Sequence, residues 1–261
     1  MRVFACILAA SLIAGVAEAA PKRVASLNLC TDELLLTLGE PAQTLSVTHL
    51  AQQAAETPLW KTARQYRRND GSLLSVIGMK PDLILTMGGG ARDRVRIAER
   101  LGLRIVDVPY PTSLADIEKG IGAVAAALDR PEAGRRVLAE IARLKAGAPS
   151  RQADTIWIGG GGRSVAAKGL AADWMRLAGL SQRRLQGDRV SLERLLVAPP
   201  SVLLRSNYRQ GQYSNEQRWL SHPLASTAGK SRILEADGRR WTCMGPLMVS
   251  EIQRLRREVG Q

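Results

Sequence analysis

RPEAGRRVLAEIARLKAGAPSR, residues 130–151, is the stretch on which the reading of this chain turns. It has the pattern of one long helix. Pro131 suits the first helical position, where the N–H that proline lacks would have had no intrahelical partner. Val137, Leu138, Ile141 and Leu144 recur at helical spacing and make one apolar stripe. Arg135, Arg136, Glu140, Arg143 and Lys145 take the other side, and Gly147 with Pro149 is a stop signal. On both flanks the same unit repeats: an apolar, β-prone run, a Gly-rich or polar turn, then a helical pattern. A long helix standing between two similar α/β halves predicts two lobes and a cleft.

Composition narrows the class. A chain of 261 residues is long enough for one large or two small domains. Arg2, an apolar run over 3–16 and the small-residue site Ala17-Glu18-Ala19 have the layout of a secretory signal peptide, residues 1–19. The run is too short to span a bilayer comfortably. Cys6 lies inside it rather than at its end, so no stable membrane anchor is expected. The formal net charge of +13 survives processing, since the removed segment carries one Arg and one Glu. Export and the scattered placement of the basic residues argue against nucleic acid as the partner. Export also puts the two mature cysteines, Cys30 and Cys243, where a disulfide is chemically allowed. No CxxC or His/Cys spacing suggests a zinc site, and no metal or cofactor site is expected.

In the first half, residues 23–28 (RVASLN) alternate and read as a strand. Thr31 or Asp32 then caps a short helix that Gly39 closes. Residues 44–50 read as a second strand, and 52–70 as an irregular loop rich in Trp60, Arg64, Tyr66, Arg67 and Arg68. The run SLLSVIGMKPDLILTM (72–87) reads as a short helix and a strand. Gly88-Gly89-Gly90 lacks the Lys and Ser/Thr of a phosphate-binding loop. A helix over 92–101, a strand over 104–109 and a helix over 112–128, capped by Thr112 or Ser113, complete this half.

The series SLNLCTDELLLTLG, SLLSVIGMKPDLILTMGG and RIVDVPYPTSLADIEKGIGAVAAALDRPEAGRRVLAEI resembles the periplasmic binding proteins of vitamin B12, ferric-siderophore and haem ABC importers. KPDLIL, a Gly turn and RIVDVP are its most specific pieces, and the resemblance covers about residues 22–258. It implies an α/β fold of two Rossmann-like lobes joined by a single long connecting helix, with the ligand cleft between them. The expected division is 20–130, first lobe; 131–150, connecting helix; 151–261, second lobe. It also implies a periplasmic monomer that captures a small-molecule metal chelate (ferric siderophore, corrinoid or haem) and hands it to an ABC importer permease. A ligand sensor or scaffold of the same fold, not coupled to transport, is the rival reading.

The second half repeats the first. Residues 155–158 read as a strand, 170–180 as a helix, 191–197 as a short helix opened by Ser191, and 201–205 as a strand beyond Pro199-Pro200. This echo of SLLSVIGMKPDLIL supports two similar lobes. A polar loop over 207–219, a helix over 219–228, a strand over 232–236 and a terminal helix follow.

An enzyme is disfavoured. Only His49 and His222 are present, GxSxG and HExxH are absent, and no acidic pair stands out. A binding site is better supported, because the turns after the strands bring aromatic rings for flat apolar contact and arginines for anionic oxygens. Tyr66, Arg92, Arg163, Tyr208, Arg209 and Trp241 are the expected ligand-binding residues. Cys30 and Cys243, expected in cleft turns of opposite lobes, form a disulfide, ligate a metal or ligand as free thiols, or are unrelated. The resemblance further implies one acidic docking residue for the permease on each lobe. Glu193 takes that place in the second lobe; the first has Leu74 there, with Asp70 as substitute.

Overall fold

The computed structural model describes residues 20–88, 92–209, 214–223, 225 and 229–260; the side chains of 92–94 lie outside the description. The expected signal peptide, residues 1–19, also falls outside it. Two parallel sheets carry the architecture, consistent with the expected pair of α/β lobes. The first holds β1 (Val24–Ser26), β2 (Thr44–Thr48), β3 (Arg67–Asn69), β4 (Leu83–Met87) and β5 (Ile105–Val108) in the order β3-β2-β1-β4-β5. The second holds β6 (Ala153–Ile158), β7 (Leu180–Gln182), β8 (Val202–Ser206) and β9 (Arg232–Ala236) in the order β7-β6-β8-β9. Every pairing between these strands is parallel. The central strands therefore read as nearly unbroken apolar runs, as in Leu83–Met87, because helices cover both faces.

In each sheet the order of strand addition reverses once, between β1 and β4 in the first and between β6 and β8 in the second. The crevice outside the strand ends at such a point is where open α/β sheets hold ligands.

Between the sheets stand α5 (Leu114–Ala127) and α6 (Pro131–Ala146). Ser113 caps α5, accepting from the Asp116 N–H while the Asp116 carboxylate accepts from the Ser113 N–H. Pro131 opens α6 as expected, and the helix ends at Ala146. At Gly134 the two helices nearly touch: a Cβ there would lie 2.6 Å from the Ala125 Cβ. One hydrophobic core runs through both lobes, from Leu35, Leu83 and Ile121 to Ile141, Trp174, Leu204 and Ile252.

Several expectations are corrected. Helix α1 (Leu29–Leu38) starts earlier than Thr31, because the Asn28 side chain is the cap and accepts from the Cys30 N–H. Asp32 turns inward instead and accepts from the Thr48 N–H and hydroxyl. The stretch 52–70 is not all irregular: it contains α2 (Trp60–Ala63) and the edge strand β3, which pairs with β2. The short helix expected at the start of 72–87 is α3 (Leu74–Ile77), and α4 spans Arg92–Arg100. In the second half, α7 (Leu170–Leu177) stops short of Leu180, which starts β7. Ser191 caps α8 (Leu192–Val197) as read from sequence. The polar stretch 207–219 contains the start of α9 (Asn215–Leu220), capped by Ser214, so the helix expected at Trp219 begins upstream. Residues 224 and 226–228 of that expected helix lie outside the description. Cys243 sits on a helix rather than in a turn: α10 (Gly238–Cys243) is capped by Asp237 and closed by Met244 at φ 50°. Helix α11 (Met248–Val259) follows and packs against α6 and α7.

Candidate functional site

A disulfide joins the two lobes, from the reversal point of the first sheet to the helix that follows β9. Cys30 stands in the first turn of α1, beyond β1, and Cys243 ends α10 of the second lobe; their sulfurs are bonded and their Cα atoms are 5.2 Å apart. Of the three readings open from sequence, the structure selects the bridge. One turn along α1 from Cys30, Glu33 reaches the same segment of the second lobe, where its Oε1 accepts from the Leu247 N–H at 3.0 Å. Asp32 and Glu33 are both buried, and burial pushes each carboxyl up to about 7.

On the first-lobe side of the bridge little room remains. Pro246 and Gly245 of the second lobe meet Met87, Val108 and Ile117 there, leaving a crevice of about 20 Å³, space for a single water. The larger depression lies on the second-lobe side. It measures about 460 Å³ and lies outside β6 and β8, between the turn after β6 and the start of α10.

Its wall is aromatic and basic. Trp157 and Trp241 stand with ring centroids 6.2 Å apart and planes tilted by 47°. Tyr208 and Arg209 follow β8, and the Arg209 guanidinium lies 5.1 Å from the Tyr208 ring. Arg163, from the turn after β6, pairs with Glu216 of α9 at 2.7 Å. The buried Trp157 Nε1 has no partner among the described residues. Gly238 permits this packing, since a Cβ there would fall 2.3 Å from the Tyr208 Cβ. Gly162, at φ 71°, has the Val190 carbonyl 2.4 Å from where a Cβ would stand, so the turn that carries Arg163 requires glycine.

A further residue enters from the opposite lobe. Glu56 lies in the loop between β2 and α2, only 4% exposed. Tyr208 Oη donates to its Oε2 at 2.6 Å, and Arg209 Nη2 donates to its Oε1 at 2.5 Å. Beside it the Ala54 carbonyl accepts from Arg239 Nη1 at 3.2 Å. Burial and the Glu56 carboxylate together raise the Tyr208 phenol, which therefore stays protonated. Sequence reading missed Glu56. It sits in AQQAAETP, with no periodicity or motif, and its partners lie 152 and 153 residues away.

Of the residues singled out from sequence, Arg163, Tyr208, Arg209 and Trp241 line this depression. Tyr66 does not; it packs against the first lobe's core, and its carbonyl accepts from Gln52 Nε2. Arg92 opens α4, and its side chain lies outside the described residues. Asp70 is exposed and accepts from the Ser72 N–H, and hydrogen bonds from Ser72 hold its carboxyl down near 2. Glu193 is exposed in the first turn of α8, and its hydrogen bond to Ser191 lowers its carboxyl. Among the described residues no group of three or more His, Cys, Asp or Glu gathers as metal ligands. Among them, too, no helix is long and apolar enough to cross a membrane.

Comparison with known proteins agrees with this geometry. Residues 24–232 match the family described as periplasmic binding protein. No curated protein sequence matches. Among solved structures, similar ones include a possible iron-binding (periplasmic solute-binding) protein from Staphylococcus epidermidis, with TM-score 0.68 and 15% identity over 93% of this chain and 100% of that one. The periplasmic vitamin B12 binding protein BtuF of Vibrio cholerae gives 0.63 and 17%, covering 91% and 96%. A periplasmic heme binding protein from Pseudomonas aeruginosa gives 0.62 and 17%, covering 90% and 91%. At these identities the likeness establishes the two-lobed fold.

Proposed function

The chain belongs to the periplasmic binding protein family, and from that premise we propose that it is an exported solute-binding protein delivering a metal-chelate ligand to an ABC importer. The depression beside the Cys30–Cys243 bridge carries this reading. It offers tilted indole rings for a flat apolar body and the Arg163 and Arg209 guanidiniums for anionic oxygens, in a volume typical of small-molecule sites. The ligand is held without any bond being made or broken, and the metal belongs to the cargo. Residues 1–19 direct export to the periplasm, where the protein works as a monomer without a membrane anchor. Glu193 and Asp70, exposed on the short helix and turn that follow β7 and β3, are the proposed contacts to the permease. Leu74, 84% exposed on α3, adds an apolar contact on the first-lobe side.

The test is titration of the mature protein with haemin, cyanocobalamin and several ferric siderophores, read by Trp fluorescence with calorimetry for absorbing ligands. One chelate is expected to saturate at micromolar concentration or below, with Arg163→Gln weakening it about tenfold, as loss of a charge-assisted contact does. No binding across the panel sinks the chelate reading. Binding without capture of a permease, while a receptor is captured instead, favours the sensor.

A further inference from the structure

We infer that Glu56 is an internal occupant of the ligand's anion seat, and that the ligand's own carboxylate takes its place on Tyr208 and Arg209. The inference deepens the proposed function and rests on its choice of site.

Tyr208 and Arg209 follow β8, at the point where the second sheet reverses, and both line the depression. Together they present a phenol O–H and a guanidinium N–H to one carboxylate, each binding a different oxygen. That is a seat for any carboxylate, and in this conformation the protein's own Glu56 fills it. Arg209 adopts φ 54°, a left-handed backbone that is strained for a non-glycine residue. Strain of this kind persists where the surroundings over-determine it, and it gathers at ligand clamps. Glu56 comes from the other lobe, on a run of turns with no regular element between β2 and α2. Besides the Glu56 side chain itself, one described hydrogen bond ties that loop to the second lobe, from Arg239 Nη1 to the Ala54 carbonyl.

Two consequences follow for the ligand. It carries a carboxylate next to a flat apolar body, because the seat adjoins the Trp157 and Trp241 rings. And it binds more weakly than the bare seat would allow, because the seat is free only in the fraction of molecules from which Glu56 has withdrawn. Glu56 thus sorts ligands by charge: a neutral flat compound does not compete for the seat and rests on the indole rings alone, whether or not Glu56 holds its place.

The experiment compares 2-naphthoate with its neutral isostere 2-naphthamide by isothermal calorimetry, on the wild-type protein, Glu56→Gln and Arg209→Gln. Gln keeps the size of Glu and an acceptor oxygen while removing the charge that holds the seat shut. Expected is a gain of about tenfold in 2-naphthoate affinity for E56Q, as when a competent state rises from a tenth of the population to nearly all of it, with 2-naphthamide unchanged. R209Q removes the seat and is expected to bind the two compounds equally. Equal or weaker 2-naphthoate binding by E56Q, no measurable binding to it, or an equal gain for 2-naphthamide overturns the proposal. So does a preference for 2-naphthoate that survives in R209Q. Neither probe holds a metal, so failure of the chelate panel leaves this result readable, and the reverse also holds.

Discussion

Glu33 is the residue whose ionisation most affects the fold. It is buried at the contact between α1 and the segment entering α11, accepts one backbone N–H and feels Arg240 at longer range. Burial outweighs both, and the carboxyl rises from 4.5 to about 7. Burial raises its neighbour Asp32 in the same sense, against the hydrogen bonds from Thr48 and Ser26 that lower it. The folded protein therefore keeps protons that the unfolded chain releases between about pH 4 and 7. Their contribution is full below that window and is lost as pH climbs through it. For Glu33 the loss amounts to about 3 kcal/mol. Glu33→Gln, whose side-chain oxygen still accepts from Leu247, is expected to flatten the decline and to be more stable than wild type at pH 8 by about 1–3 kcal/mol. Urea unfolding at pH 5 and pH 8 measures it; an unchanged slope with pH would show that Glu33 ionises freely in the folded state.

At the scale of elements, the α5–α6 pair sets the spacing between the lobes. Gly134 lets α6 lie against Ala125, and the two effects of Gly134→Ala oppose each other. Helix propensity favours alanine by about 1 kcal/mol. The added methyl would stand 2.6 Å from the Ala125 Cβ, and overpacking of this kind costs about 1–3 kcal/mol. Because the contact is between two backbone-rigid Cβ atoms, overpacking prevails, and net destabilisation of about 1 kcal/mol is expected. A higher urea midpoint for G134A would mean the helices separate freely. Near the site, Gly238 at the start of α10 plays a comparable part, holding Tyr208 where Glu56 meets it.

For the whole molecule, the Cys30–Cys243 bridge closes a loop of 213 residues and ties α1 of the first lobe to α10 of the second. Loop-closure entropy for a ring of that size is worth about 5 kcal/mol. Reduction, or the Cys30→Ser/Cys243→Ser pair, is expected to lower stability by several kcal/mol without separating the lobes, because the core from Leu35 to Ile252 is continuous across them. Small-angle scattering checks the second half of that statement: a marked gain in radius of gyration on reduction would make the disulfide, not the core, the tie between lobes. Beside the same bridge, with Pro246 behind it, the first-lobe side is nearly filled and the 460 Å³ depression lies on the second-lobe side.

Much of this was legible in the amino-acid order. Pro131 and the Val137–Leu144 stripe announced α6, LILTM and RILEA matched their strands to the residue, Ser191 marked the cap of α8, and the cap of α5 was narrowed to Thr112 or Ser113. Each of these is a local pattern, written within one or two turns of chain. The turns after β6 and β8 exposed Arg163, Tyr208 and Arg209 for the same reason: strand ends face the crevice wherever parallel sheets reverse. What the tertiary structure alone decided depends on contacts far apart in sequence. The edge strands β3 and β7 are three residues each and exist through pairing with β2 and β6. Asp32 was legible as a cap by composition, yet Asn28 won that place and the Thr48 hydroxyl drew Asp32 inward. The pairing of Cys30 with Cys243, and the closing of Glu56 on Tyr208 and Arg209, join atoms more than 150 residues apart. No period or motif records such a meeting, because it is made by how two sheets are set against one core.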